Sequence, residues 1–218
     1  MSLVHRVREP EGDPAGALVL SHGRGTDEND LFGLFDELDP ERRLLGIAPG
    51  GPLTDVPPGG RHWYLVPRVG YPDPETFQAS YELLTEFLDA TLADRGIPWD
   101  QTVLGGFSMG TVMSYAVGLG DGRPSPAGIL ALSGFVPVVD GWEPELESRR
   151  GLPVLIHHGR QDPIIRIEFG RRADDFLNQA GLDVTYIESD AGHWLPPELI
   201  PRMQTFVDRV LDKEGEPA

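Results

Sequence analysis

Residues 102–117, Thr-Val-Leu-Gly-Gly-Phe-Ser-Met-Gly-Thr-Val-Met-Ser-Tyr-Ala-Val, constrain the fold more than any other stretch of the chain. A short apolar run leads into two glycines, Ser108 stands between Phe107 and Met109, and Gly110 opens an apolar segment. This order predicts a strand, a tight turn and a helix. A serine held in such a turn is backbone-strained, and only hydrogen fits as the side chain at positions 106 and 110. The turn lifts the Ser108 hydroxyl above the carboxyl end of a sheet. The first amides of the helix then point at whatever the serine attacks. Five residues alone also suit an ordinary strand–helix turn, so the remainder of the chain has to decide.

The rest of the chain repeats the alternation. Residues 1–16 read as an edge strand and a turn, and the run 17–20 as a strand buried on both faces. The glycine-bearing loop 21–27 follows, then a helix capped by Asn29 or Asp30 and reaching about Leu38. Further strands are expected at 44–48, 128–132, 153–157 and 183–187. Helices are expected at 75–94, 166–179 and 197–211, with a short acidic one at 144–149. Residues 49–73, rich in proline and glycine and carrying Trp63 and Tyr64, form the longest irregular stretch and the only candidate lid. Short apolar strands alternating with helices imply an α/β fold, a mostly parallel sheet covered on both faces. Ligands bind such sheets outside the carboxyl ends of the strands. The chain is expected to form one domain over 1–211, followed by a disordered acidic tail at 212–218.

Composition narrows the partners. A net charge of −17 disfavours nucleic acid and stable association with an anionic membrane. Lys213 is the single lysine, and this usage fits either a GC-rich genome or a salt-adapted surface. With no cysteine there is no disulfide framework, thiolate metal site or cysteine nucleophile. The opening residues lack an apolar core of the secretory type, and no apolar run approaches a membrane span, so a soluble cytoplasmic protein is expected.

A serine hydroxyl needs a base, and the base needs an orienting group. In α/β-hydrolases, whose serine turn this stretch resembles, the chain order is Ser, then Asp or Glu, then His. His193, in the loop Asp190-Ala-Gly-His-Trp, is the candidate base. An isolated histidine there would more simply be a surface or capping residue. Asp162, in His158-Gly-Arg-Gln-Asp-Pro, is taken as the third member, against the alternative that it caps the helix after Pro163. Asp190 and Asp140 are its competitors, the first better suited to shaping its own turn. His157 and His158 are read as structural, and His62 is left open. Two backbone N–H groups are needed for a developing oxyanion. Met109 offers one and Arg24, in His22-Gly-Arg-Gly, the other. The Arg24 side chain facing a substrate carboxylate or phosphate is a lesser alternative.

The chain resembles the phospholipase/carboxylesterase family of small α/β-hydrolases, which includes acyl-protein thioesterases and bacterial carboxylesterases. The matching residues are Leu20-Ser-His-Gly-Arg-Gly with Asp27-Glu-Asn-Asp, Gly105-Gly-Phe-Ser-Met-Gly, Ala131-Leu-Ser-Gly-Phe-Val-Pro, His158-Gly-Arg-Gln-Asp-Pro-Ile-Ile and Ala191-Gly-His. They span about 17–207 in the family's order. The resemblance implies an α/β-hydrolase fold without a separate cap domain, a Ser108–Asp162–His193 triad, and oxyanion donors at Arg24 and Met109. Many members carry glutamine after the nucleophile and a small residue two positions on, where this chain has Met109 and Thr111. Dienelactone-hydrolase-like relatives often carry Ser-Met-Gly, but their cysteine nucleophile is absent.

Trp63, Tyr64, Phe135 and Trp194 are candidates to line an apolar substrate pocket, although each also suits a core. The expected activity is cofactor-free and metal-free hydrolysis of a small carboxylic ester of short to medium acyl chain. A thioesterase or lysophospholipase with the same triad is the nearest alternative, and a non-catalytic ligand-binding relative the next. A homodimer is compatible with all three.

Overall fold

The computed structural model describes residues 3–212. The acidic tail expected at 212–218 therefore lies, apart from Asp212, outside the described residues. Seven strands form one sheet in the order β1-β3-β2-β4-β5-β6-β7. They are β1 (His5–Arg8), β2 (Gly16–Ser21), β3 (Leu44–Pro49), β4 (Thr102–Phe107), β5 (Gly128–Leu132), β6 (Pro153–Gly159) and β7 (Asp183–Ser189). Only β1 runs antiparallel, registered against β3 from His5↔Pro49 to Arg8↔Gly46. This edge strand is anchored by Arg8, whose buried guanidinium pairs with Asp39 and donates to the carbonyl of Phe35 at 2.8 Å.

The strand pattern explains two cores. Side chains alternate across a strand, so Ala17, Val19, Leu104, Ile129 and Ala131 face one way. Leu18, Leu20, Val103, Leu130 and Leu132 face the other. Helices α2 (Pro74–Arg95), α3 (Met109–Leu119) and α4 (Glu168–Gln179) cover the first face. Helices α1 (Leu34–Leu38) and α5 (Ile200–Leu211) cover the second. Each leucine or phenylalanine fully withdrawn from water contributes about 1.5–3 kcal/mol, before the entropy of ordering it is subtracted. The architecture is the mostly parallel α/β sheet, covered on both faces, that the alternation implied.

Helix α2 begins where the sequence asks it to. The Asp73 carboxylate accepts from the Thr76 amide at 3.0 Å, Pro74 takes the first helical position, and Gly96 ends the helix in the left-handed region at φ 64°. Three expectations need correction. The helix expected from Asn29 or Asp30 is only α1, because Asp27 holds the Asn29 amide in a local turn and Asp30 accepts the Thr26 hydroxyl. The acidic helix at 144–149 is a single 3-10 turn, Glu147–Arg149, whose Arg149 guanidinium is buried against the carbonyls of Gly118 and Arg123. The last helix starts as a 3-10 turn, Pro197–Leu199, before α5. Among the described residues no helix is long and apolar enough to cross a membrane.

Strand order reverses at β2. Its next strand, β3, lies on one side of it, while β4 lies on the other. At that switch point the connections leaving β2 and β4 diverge and leave a crevice at the carboxyl ends. Ser108 leaves β4 there, opposite the 22–33 loop.

Candidate active site

Ser108 is the first residue beyond β4 and the cap of α3, with φ 55° and ψ −114°. A non-glycine residue in this region costs on the order of 1–3 kcal/mol, which the surroundings must supply. The crowding around the turn explains both flanking glycines. A Cβ on Gly110 would collide with the carbonyl of Ser21, and one on Gly106 with the backbone of Gly110. The Ser108 amide donates to the Leu132 carbonyl at 2.8 Å, tying the turn to β5.

His193 Nε2 lies 2.9 Å from Ser108 Oγ, and His193 Nδ1 lies 2.6 Å from Asp162 Oδ2. The structure thus brings together the three residues that the sequence singled out, from 85 and 31 positions apart. Asp162 does not cap α4, which begins at Glu168 after Ile167. Its Oδ1 instead closes a local turn by accepting the amides of Ile164 and Ile165, each at 2.8 Å, and Oδ2 faces the histidine. Asp190 instead pairs with Arg160 on the surface. The ring of Phe107 rests against the His193 imidazole, centroids 4.8 Å apart, and limits how far it can tip.

Two buried histidines brace the loops that carry Asp162 and His193. His158 Nε2 donates to the Ile165 carbonyl at 2.7 Å, closing the Asp162 turn, and lies 3.6 Å from Asp162 Oδ2. His157 Nε2 pairs with Ser189 Oγ at 2.9 Å, and that oxygen also receives the Ala191 amide at 3.3 Å. The Gln161 amide then donates to the Ala191 carbonyl at 3.0 Å, lacing the two loops together. Burial favours the neutral imidazole in both, lowering His158 and bringing His157 down to about 4. The sequence marked these histidines as structural; it carried no sign of Ser189.

The β2 loop is fixed by a third neutral histidine. His22 Nε2 accepts the Gly51 amide at 2.8 Å, so its proton must sit on Nδ1, which faces the Gly23 carbonyl at 2.7 Å. Burial lowers its pKa, consistent with that tautomer. Among the described residues the Arg24 amide donates to no protein acceptor, and Met109 opens α3, whose first N–H groups have none within the helix. Arg24 and Met109 line the same cavity as Ser108 and His193. The Arg24 guanidinium reaches the Pro57 carbonyl at 3.1 Å.

That cavity measures about 490 Å3 and is walled mainly by apolar side chains. Tyr64, Phe135 and Trp194 line it, together with Val66, Val69 and Ile164, which the sequence did not single out. Trp194 is 53% exposed at the rim. Trp63 lies behind the wall, fully buried, with its indole N–H donating to the His22 carbonyl at 3.1 Å. His62, open in the sequence, is buried, with Nε2 3.0 Å from the carbonyls of Val56 and Gly59.

Known proteins agree with this architecture. The chain is 27% identical over 228 residues to acyl-protein thioesterase 1 of Debaryomyces hansenii, covering 95% of this chain and 97% of that one. A Dictyostelium discoideum homologue of the same enzyme is 24% identical, covering 91% and 92%. Among solved structures, the Bacillus cereus carboxylesterase superposes with a TM-score of 0.81 at 22% identity, covering 95% of this chain and 94% of that one. A Mesorhizobium loti carboxylesterase superposes with a TM-score of 0.79 at 18% identity, covering 93% of each. The pattern of the phospholipase/carboxylesterase family matches residues 4–211, and the chain belongs to that family of α/β-hydrolases.

Proposed function

We propose that this protein is a serine hydrolase that cleaves small carboxylic esters of short to medium acyl chain through an acyl-enzyme on Ser108. One observation carries the reading: the bonded series Ser108–His193–Asp162, at 2.9 and 2.6 Å, opens onto an apolar cavity. His193 takes the serine proton as Oγ attacks the acyl carbon, then returns it to the leaving alcohol. Asp162 holds the proton of Nδ1 in place and stabilises the imidazolium. The amides of Arg24 and Met109 receive the oxyanion. Water, deprotonated by His193, then releases the acid and regenerates the serine. Tyr64, Phe135 and Trp194 contact the substrate's apolar part, and no cofactor takes part. Residues 1–211 act as one domain.

The curated relatives favour a second reading, an acyl thioesterase using the same residues. A thiolate leaves without needing a proton, so thioester cleavage demands less of His193 in the step that expels the leaving group. The test is hydrolysis of matched p-nitrophenyl esters and acyl thioesters of increasing chain length by wild type and Ser108→Ala. Turnover lost in the variant supports the nucleophile, and the ester-to-thioester ratio chooses between the two readings. Equal rates in both proteins would reject the mechanism. A protein that neither turns over nor takes up a fluorophosphonate label is a binding relative instead.

A further inference from the structure

Thr111 is the third residue of α3 and is fully buried. Side chains on a helix lean back towards its N-terminus, so this one reaches the ends of the strands. The pairing Phe107↔Leu132 is the last between β4 and β5. In a parallel ladder that pairing calls for two bonds, from the Ser108 amide to the Leu132 carbonyl and from the Leu132 amide to the Gly106 carbonyl. The first is present at 2.8 Å. Beside the second stands the Thr111 hydroxyl, accepting the Leu132 amide at 3.0 Å and lying 2.6 Å from the Gly106 carbonyl. It also lies 2.7 Å from the Leu132 carbonyl, the oxygen that holds the Ser108 amide. One hydroxyl proton serves these two carbonyls in turn.

One hydroxyl from α3 thus bonds both strands where the serine turn leaves the sheet, tying the end of β4 to the end of β5. The threonine is held from its other side as well. Gly134 packs so tightly on Thr111 that a Cβ there would strike the threonine side chain and come within 2.8 Å of the Ser108 carbonyl. We propose that Thr111 is a positioning residue for Ser108. Its hydroxyl, bonded to the ends of both β4 and β5, fixes the height at which the serine meets His193. The proposal rests on Ser108 being the nucleophile.

The test compares Thr111→Ser, which keeps the hydroxyl, with the near-isosteric Thr111→Val, which removes it. The measurements are kcat and KM on a p-nitrophenyl ester, and amide hydrogen exchange at Leu132 and Ser108. Misplacing a reacting group by about 1 Å costs on the order of 100-fold in rate. Thr111→Val is expected to lose kcat on that scale with KM unchanged, and to exchange both amides faster. Thr111→Ser should restore both readouts. A Thr111→Val protein with a lower melting temperature but an unchanged kcat per folded molecule would overturn the proposal. Should valine prevent folding, Thr111→Ala removes the hydroxyl without adding a methyl in its place, and the same outcomes decide. If the wild type shows no turnover and no fluorophosphonate labelling, the hydrolase reading falls. Exchange still decides the hydroxyl's role, since equal protection in wild type and Thr111→Val would reject it.

Discussion

The backbone N–H of Trp63 donates to the thioether of Met109 across 3.2 Å, joining the long 49–73 loop to the serine turn. The same tryptophan donates its indole N–H to His22, and Gly51 donates to the His22 ring. The base of this loop is therefore part of the active-site wall, held by the two segments that supply the candidate oxyanion donors. Thioether sulfur is a weak acceptor, so most of the Met109 contribution is expected from packing. Met109→Leu, which keeps the volume, should cost less than about 1.5 kcal/mol. Met109→Ala should cost about 2–5 kcal/mol. Urea unfolding midpoints of the two variants measure the difference.

Asp162→Asn tests the orienting carboxylate through its asymmetry. The Ile164 and Ile165 amides bind Oδ1, so the amide oxygen of asparagine takes that place and its NH2 faces His193 Nδ1. The imidazole must then carry its proton on Nε2, where it cannot accept the serine proton. A loss of about 10^4 in kcat is expected, the scale seen for this change in other serine hydrolases. Steady-state kinetics with an unchanged circular dichroism spectrum is the check.

Gly110→Ala places a methyl against the Ser21 carbonyl, backbone against backbone, with nothing flexible to yield. The turn that holds Ser108 should fail to close, and fluorophosphonate labelling should be lost. Gly12→Ala is the control, since a Cβ there meets nothing within 4 Å. It should keep full labelling at a small cost in stability from its φ of 103°.

Acid should destabilise the fold through His157. Its pKa is brought down to about 4 by burial, from an ordinary 6.5, while in the unfolded chain it titrates near 6.5. Between those values the unfolded chain binds the extra proton, so stability rises with pH there. The contribution is complete above about pH 6.5 and is lost as pH falls towards 4. Urea midpoints at pH 7 and pH 5 should differ less for His157→Gln than for wild type. An equal difference in both would assign the acid sensitivity to other groups.

Much of this molecule was legible before any coordinates. The β4 turn could be read because its constraint is local: two glycines around a serine between a strand and a helix leave few other conformations. The inner strands β2 to β6 could be read because burial on both faces demands continuous apolar runs. Boundaries were less legible where side chains chose turns over helix, as at Asp27 and Asp30. The mutual distances of Ser108, Asp162 and His193 depend on how three loops pack, which no local pattern encodes.

By itself the sequence determined the alternation of strands and helices and the strained serine turn, and it offered Ser108, Asp162 and His193 as candidates to act together. Tertiary structure alone decided that Trp63 stands behind the cavity wall. It also decided that Met109 holds the long loop, that His157 and Ser189 brace the histidine loop, and that the Thr111 hydroxyl bonds both strands at the end of the sheet. The first group follows from backbone sterics and the burial period of single elements. The second depends on which buried donors face which acceptors across segments far apart in the chain, and packing alone creates those pairings.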